Sequence, residues 1–322
     1  MLAILVCLCA MMVLGTRLVV KGIEYFIFGL TAKGKLTAAA LVLVMATSLP
    51  ELFVAMAAVS LGHVELSLSN LLGANVADLS LVIGGVALMV GSVPVVGDYW
   101  RWDLAATFLA GVAPILLMMD GSLSRIDGLI LLTIYLLYIE GLVIDGKRKN
   151  LAKMGIEGPG IISQLTHRFE KKAGVSLFGF VIGITLLSLG AYGLVKISER
   201  FGVNTLTPTV FGLIVVSLVT TLPEYMEVFS GAIRRNTALI LSNLLGSVVT
   251  NSTLLIGLLA LIHPIKTLDV TNYSIANLSF VVIFGLFWMF TSTKRKLDRW
   301  EALILVGIYV TFIGLLLLKP SF

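Results

Sequence analysis

Charged residues are scarce in this chain. Only 13% of its 322 residues are Asp, Glu, Lys or Arg, about half the share found in soluble domains. A surface facing water needs such groups, so a cytosolic enzyme is excluded, and so is a disordered chain, which is richer in charge still. Cysteine is almost missing. Cys7 and Cys9 are the only two; they stand in one apolar run and point to different sides of a helix. That excludes a secreted disulfide scaffold and reads as packing, with no redox or metal-cluster chemistry. The first run also lacks a basic leader segment and a small-residue cleavage site, so it is expected to stay as a helix.

What the chain has instead is hydrophobicity, 58% of residues with a mean hydropathy of +1.04. Stretches able to span about 30 Å of hydrocarbon fall near 1–20, 36–60, 67–91, 103–119, 127–145, 175–195, 205–230, 237–262, 274–292 and 300–318. The expected fold is therefore an all-α polytopic membrane protein with ten transmembrane helices. One sizeable polar connection, 146–174, holds seven basic residues and Gly158-Pro159. It divides the chain into a first half (1–145) and a second half (175–322). The net charge of +5 is read by position, not as a nucleic-acid signal. Placing the linker in the cytoplasm puts eighteen Lys and Arg on that side. Five remain opposite, namely Arg125, Lys196, Arg200, Lys266 and Lys319. The positive-inside rule then predicts a plasma-membrane protein with both termini outside.

The halves repeat one another. Leu68-Ser69-Asn70-Leu71-Leu72-Gly73 returns as Leu241-Ser242-Asn243-Leu244-Leu245-Gly246, and Ala46-Thr47-Ser48-Leu49-Pro50-Glu51 as Val219-Thr220-Thr221-Leu222-Pro223-Glu224, both at an offset of 173. Leu14-Gly15 matches Leu189-Gly190 at an offset of 175. Five helices separate the copies, so the halves are expected as inverted five-helix repeats, a pattern of secondary transporters whose site lies at mid-membrane between the repeats.

Glu51, Glu224 and Asp78 lie deep in apolar runs with no Lys or Arg within a helical turn. An ionised carboxylate at the bilayer centre costs roughly 2.5–3.5 kcal/mol on insertion scales, and a bound cation offsets that cost where no protein base does. Thr47 and Ser48 lie one turn from Glu51 on one face. Pro50 takes away an amide hydrogen and frees carbonyl oxygens near Thr47, and Thr220, Thr221, Pro223 and Glu224 repeat the arrangement. Asn70, Gly73, Ala74 and Asp78 form one stripe, with Asn243, Gly246, Ser247 and Asn251 as its twin. Small residues in such a stripe also allow close helix packing. All the candidate ligands are oxygens, which suits sodium, calcium or magnesium and not zinc or copper. Glu227 is read as a surface group at a helix end, with an outer ligand position behind Glu224 as the alternative, and His63, His167 and His263 as solvated loop residues.

These motifs, with Asp120-Gly121 and Arg125-Ile126-Asp127-Gly128, resemble the two alpha-repeats of the cation/calcium antiporter superfamily, most closely its prokaryotic sodium/calcium exchanger branch. The resemblance implies a core of the second, third, seventh and eighth helices, with the first and sixth long, tilted and mobile. It implies Glu51 and Glu224 as carboxylates shared by calcium and sodium, Asp78 and Asn251 completing the centre, and the Thr47 and Thr220 carbonyls in the calcium shell. Ser48, Thr221 and Ser247 would flank it as sodium ligands. Ala74 departs from the pattern, standing where the family has serine, and Thr221 also replaces a serine. No glutamate follows Asn70 or Asn243 closely, as is usual in proton-coupled relatives.

The function expected is export of cytosolic calcium against sodium by alternating access, by a functional monomer with no cofactor beyond its transported ions. A proton-coupled calcium exchanger and a passive cation channel are the alternatives. An intramembrane hydrolase would need a Ser/Lys, Ser/His or paired-aspartate motif, and Asp78 with Asn251 does not supply one.

Overall fold

A computed structural model describes residues 2–28, 48–94, 100–148, 173–202, 206–233, 237–294 and 296–318. Thr47, the start of the second apolar segment, His167, most of the 146–174 linker and its basic residues, and Lys33, Lys35, Arg234 and Arg235 lie outside the described residues.

The described chain is almost wholly helical. The helices are α1 (Leu2–Phe28), α2 (Leu49–Ser60), α3 (Val64–Val90), α4 (Trp100–Leu117), α5 (Arg125–Arg148), α6 (Ala173–Gly202), α7 (Pro208–Thr220), α8 (Leu222–Ile233), α9 (237–262), α10 (Val270–Lys294) and α11 (Arg299–Leu318). Among the described residues, seven helices are long and apolar enough to cross a membrane, or eight if α7 and α8, bent by 42° at their junction, make one span. Of the other predicted segments, 127–145 lies in the 24-residue α5 and the second is described only as the 12-residue apolar α2.

The spans fall into two classes by burial. In α3 83% and in α9 78% of the apolar window is inside the protein, against 28–39% in the other single spans. These two are the central helices, and the rest turn one side to lipid. Each central helix contains a π-helical turn, Asp78–Val82 in α3 and Thr250–Leu255 in α9. The two turns begin at Asp78 and one residue before Asn251, so both fall on the repeated stripe. A third π turn, Gly212–Val216, interrupts α7.

Glycine sets the closest helix approaches. A methyl group at Gly73 of α3 would sit 2.9 Å from Leu213 Cα and Ser217 Cβ of α7, and one at Gly212 of α7 would sit 2.7 Å from Ser69 Cβ of α3. Gly128 and Gly257 press α5 onto α9 in the same way, each facing the other's carbonyl. On the outside, α1 and α6 run antiparallel along a glycine seam, with Gly15 against Leu187 and Gly183 against Val19. At 27 and 30 residues they are about 40 and 45 Å long, more than the hydrocarbon is thick.

Two short pairings tie the ends of the bundle. At one end Leu123 and Ile265 exchange backbone hydrogen bonds of 2.8 and 2.9 Å. Nearby His63 Nε2 meets Glu199 Oε1 at 3.0 Å, and Lys196 Nζ meets the same oxygen at 2.8 Å. At the other end, β1 (Ser92–Pro94) pairs antiparallel with β2 (Lys296–Asp298), Val93 opposite Leu297. The chain therefore has a His63 end and a ribbon end. α3 runs from the first to the second, α6 ends at the His63 end, and α7 starts there.

Candidate functional site

The repeated Thr/Ser-Leu-Pro-Glu motif builds helix starts in mid-bundle. Proline is tolerated in a first helical turn, where its missing N–H has no partner to lose. Accordingly α2 begins at Leu49 with Pro50 in its first turn and Ser48 at its cap, and α8 begins at Leu222 just past the break at Thr221. Glu51 and Glu224 thus each stand in a first turn, where the positive end of the helix dipole favours a carboxylate. The last turn of α7, Ser217–Thr220, ends at the same place and brings the negative end of its dipole. Broken helices of this kind satisfy anions and cations at one depth.

Three predicted carboxylates converge here, with Asn251 in the α9 π turn that packs on α2. Glu51, Asp78 and Asn251 are 0% exposed and Glu224 2%. Glu51, Asp78 and Glu224 lie close enough for their charges to repel one another. Neither oxygen of Glu51 or Asp78 has a hydrogen-bond partner of normal geometry, nor does Glu224 Oε2, nor either polar atom of the Asn251 amide. Buried polar atoms are nearly always paired, so such a concentration of unpartnered polar atoms has the chemistry of a ligand shell.

Hydroxyl and amide groups join the halves around the carboxylates. Ser247 Oγ donates to Glu224 Oε1 at 3.5 Å and lies 3.4 Å from Ser48 Oγ. Thr220 Oγ1 donates to Asn70 Oδ1 at 3.1 Å, beside Glu51. Thr221 is turned back on its own helix, its hydroxyl 2.9 Å from the Ser217 carbonyl. Asn75 Nδ2 donates to Ser252 Oγ at 2.7 Å, and its Oδ1 is buried without a partner. Among the described residues no group of three His, Cys, Asp and Glu is placed to hold a metal ion. A cation at this centre therefore draws on amide, hydroxyl and carbonyl oxygens as well, a hard-cation donor set.

The repeats differ in one way that the site feels directly. Glu224 receives the Ser247 hydroxyl. The matching partner of Glu51 is Ala74, fully buried and without a hydroxyl, and Glu51 has only the Thr220 hydroxyl beside it, with no hydrogen bond of normal geometry to either oxygen.

Glu227 is not the helix-end surface group that the sequence suggests. Helix α8 continues to Ile233, so Glu227 falls in its middle, half-buried, accepting from Asn243 Nδ2 at 3.1 Å. His263 is exposed at a helix end, but His63 is half-buried and paired with Glu199 rather than freely solvated, and both line a cavity of about 480 Å³ at the His63 end together with Glu65, Pro208 and Lys266.

The sequence profile of the family described as sodium/calcium exchanger protein matches residues 1–143 and 175–318. The inner membrane protein YrbG of Escherichia coli K12 is 25% identical over 281 residues, covering 84% of this chain and 82% of its own. The sodium/calcium exchanger MaX1 of Methanosarcina acetivorans is 29% identical over 150 residues, 46% of this chain and 43% of its own. Among solved structures, the sodium-calcium exchanger NCX_Mj, soaked with sodium and strontium, superposes with a TM-score of 0.63 at 20% identity, covering 98% of this chain and 99% of the other. The fold is shared along nearly the whole chain.

Proposed function

The chain belongs to the sodium/calcium exchanger protein family, a family of transporters and not of enzymes, and on that premise we propose that it exports cytosolic calcium in exchange for sodium by alternating access. The observation that carries this reading is the trio of buried carboxylates with five unpartnered oxygens and, among the described residues, no basic side chain bonded to them. Calcium is the cargo that neutralises such a centre. Glu51 and Glu224 are its two principal ligands, Asp78 and Asn251 complete the ring, and the Thr47 and Thr220 carbonyls fill the shell. Ser48, Thr221 and Ser247 hold sodium at flanking positions and draw on the same glutamates, so the two ions compete. Because an empty, charged centre is costly to bury, the site crosses the membrane only when loaded. That obligation is the physical source of coupled exchange. The ten helices are two inverted repeats, the linker and the ribbon end face the cytoplasm, and a single chain is the working unit.

The test is reconstitution. An outward calcium load should leave proteoliposomes when sodium is supplied on the opposite side, and a pH step alone should move little. Calcium flux driven by a proton gradient without sodium would assign a proton-coupled exchanger instead. Flux that needs no counter-ion and does not saturate would assign a channel.

A further inference from the structure

Glu227 is a fourth carboxylate with no part in the ring just described. It stands one turn beyond Glu224 on α8, about 4.5 Å along the axis, toward the ribbon end. Two buried acceptors beside it have no partner: Asn243 Oδ1, on a residue 4% exposed, and Glu224 Oε2, on a residue 2% exposed. Asn243 turns its amide nitrogen onto Glu227 Oε2 at 3.1 Å. Across from it on α1, the exposed Arg17 reaches Met226, Nη2 to Sδ 3.7 Å, with its charge felt at Glu227.

The repeat shows that this group is not needed to hold the fold. The position matching Glu227 is Val54, fully buried in an apolar cluster. Asn70, which matches Asn243, is held by Thr220 and has no carboxylate to bond. The position matching Arg17 is Tyr192. An acid and a base thus occur on the ribbon side of one half only, while the corresponding places in the other half are apolar or aromatic.

We propose that Glu227, with the Asn243 carbonyl, is a waystation for a divalent cation between the central site and the ribbon end, and that Arg17 is the counter-charge the arriving cation displaces. The inference rests on the exchanger reading above. A carboxylate set into low-dielectric walls concentrates cations locally by about tenfold or more. Glu227 places that charge on the ribbon side of the centre, one turn from Glu224, so calcium should be captured more readily from the ribbon end than from the His63 end.

The experiment compares inside-out and right-side-out vesicles carrying the full chain, with calcium-45 titrated at each face. Glu227→Gln keeps an oxygen for Asn243 and removes only the charge. It should raise the half-maximal calcium concentration about tenfold at the ribbon face and leave the His63 face unchanged. Glu227→Asp should restore most of the loss, and Arg17→Gln should lower the half-maximal concentration at the ribbon face. Equal shifts at both faces in Glu227→Gln, or no shift at either, overturn the waystation. If the parent chain itself carries no sodium-dependent calcium flux, the exchanger reading fails first and the waystation with it.

Discussion

Replacing Gly73 with alanine probes how closely the site depends on one helix crossing. The added methyl collides with the Leu213 carbonyl and would stand 2.9 Å from both Leu213 Cα and Ser217 Cβ. Carbon atoms prefer about 3.5–4.0 Å, so α3 and α7 must part by roughly 0.6 Å or more. The 3.1 Å bond from Thr220 to Asn70 spans the same crossing one turn away. Stretched by that amount it reaches about 3.7 Å, past hydrogen-bonding length. Overpacking of this kind costs about 1–3 kcal/mol of stability. The lost bond is worth about 0.5–1.5 kcal/mol, a factor of roughly two to ten in calcium affinity. Thermal unfolding in detergent reads the first effect and a calcium titration of sodium-driven flux reads the second. Gly307→Ala is the control, because nothing lies within 4 Å of its added methyl. A Gly73→Ala protein as stable as the control, with the parent's half-maximal calcium, refutes the argument that this crossing positions the site.

Four further substitutions address the site itself. Glu51→Gln or Glu224→Gln should cost about 3 kcal/mol or more in calcium binding, over a hundredfold, and abolish flux while the protein stays inserted; near-normal flux in either removes that glutamate from the site. Ala74→Ser supplies Glu51 with the hydroxyl that Glu224 already has, so sodium affinity should rise about tenfold with calcium affinity nearly unchanged, and an unaltered sodium titration means the position is not used. Ser247→Ala takes the hydroxyl from Glu224 and Ser48 together; it should weaken sodium dependence more than calcium affinity, and a calcium-only defect contradicts its assignment to sodium.

The sequence carried the positions of the centre because charge in an apolar run cannot be incidental. Glu51, Asp78 and Glu224 stand out for that reason, and the shared offset pairs Glu51 with Glu224 and Asp78 with Asn251. Helix positions were legible where apolar runs are long, as in α3, α9 and α11. The π turns were not, since an extra residue in a turn leaves the hydrophobic pattern of Asp78–Val82 unchanged. The ribbon was missed because three-residue strands at the ends of helices have no period to detect. Glu227 was misread for a different reason: its partner Asn243 comes from another helix, and only tertiary packing brings the two together.

The pairing of Ser92–Pro94 with Lys296–Asp298 fixes an order of events during synthesis. A chain threaded into the bilayer from its N-terminus completes β1 long before β2 leaves the ribosome. In that interval α3 carries Asn70, Asn75 and Asp78 without Thr220 and Ser252, the groups that later bond the two asparagines. Polar side chains at that depth are costly in lipid, so the nascent first half must keep α3 beside water or the insertion machinery until its counterpart arrives. Translation that stops short of residue 296 leaves the ribbon unclosed. Such a fragment should be cleared by membrane proteases, whereas the completed chain, with β2 in place, should survive.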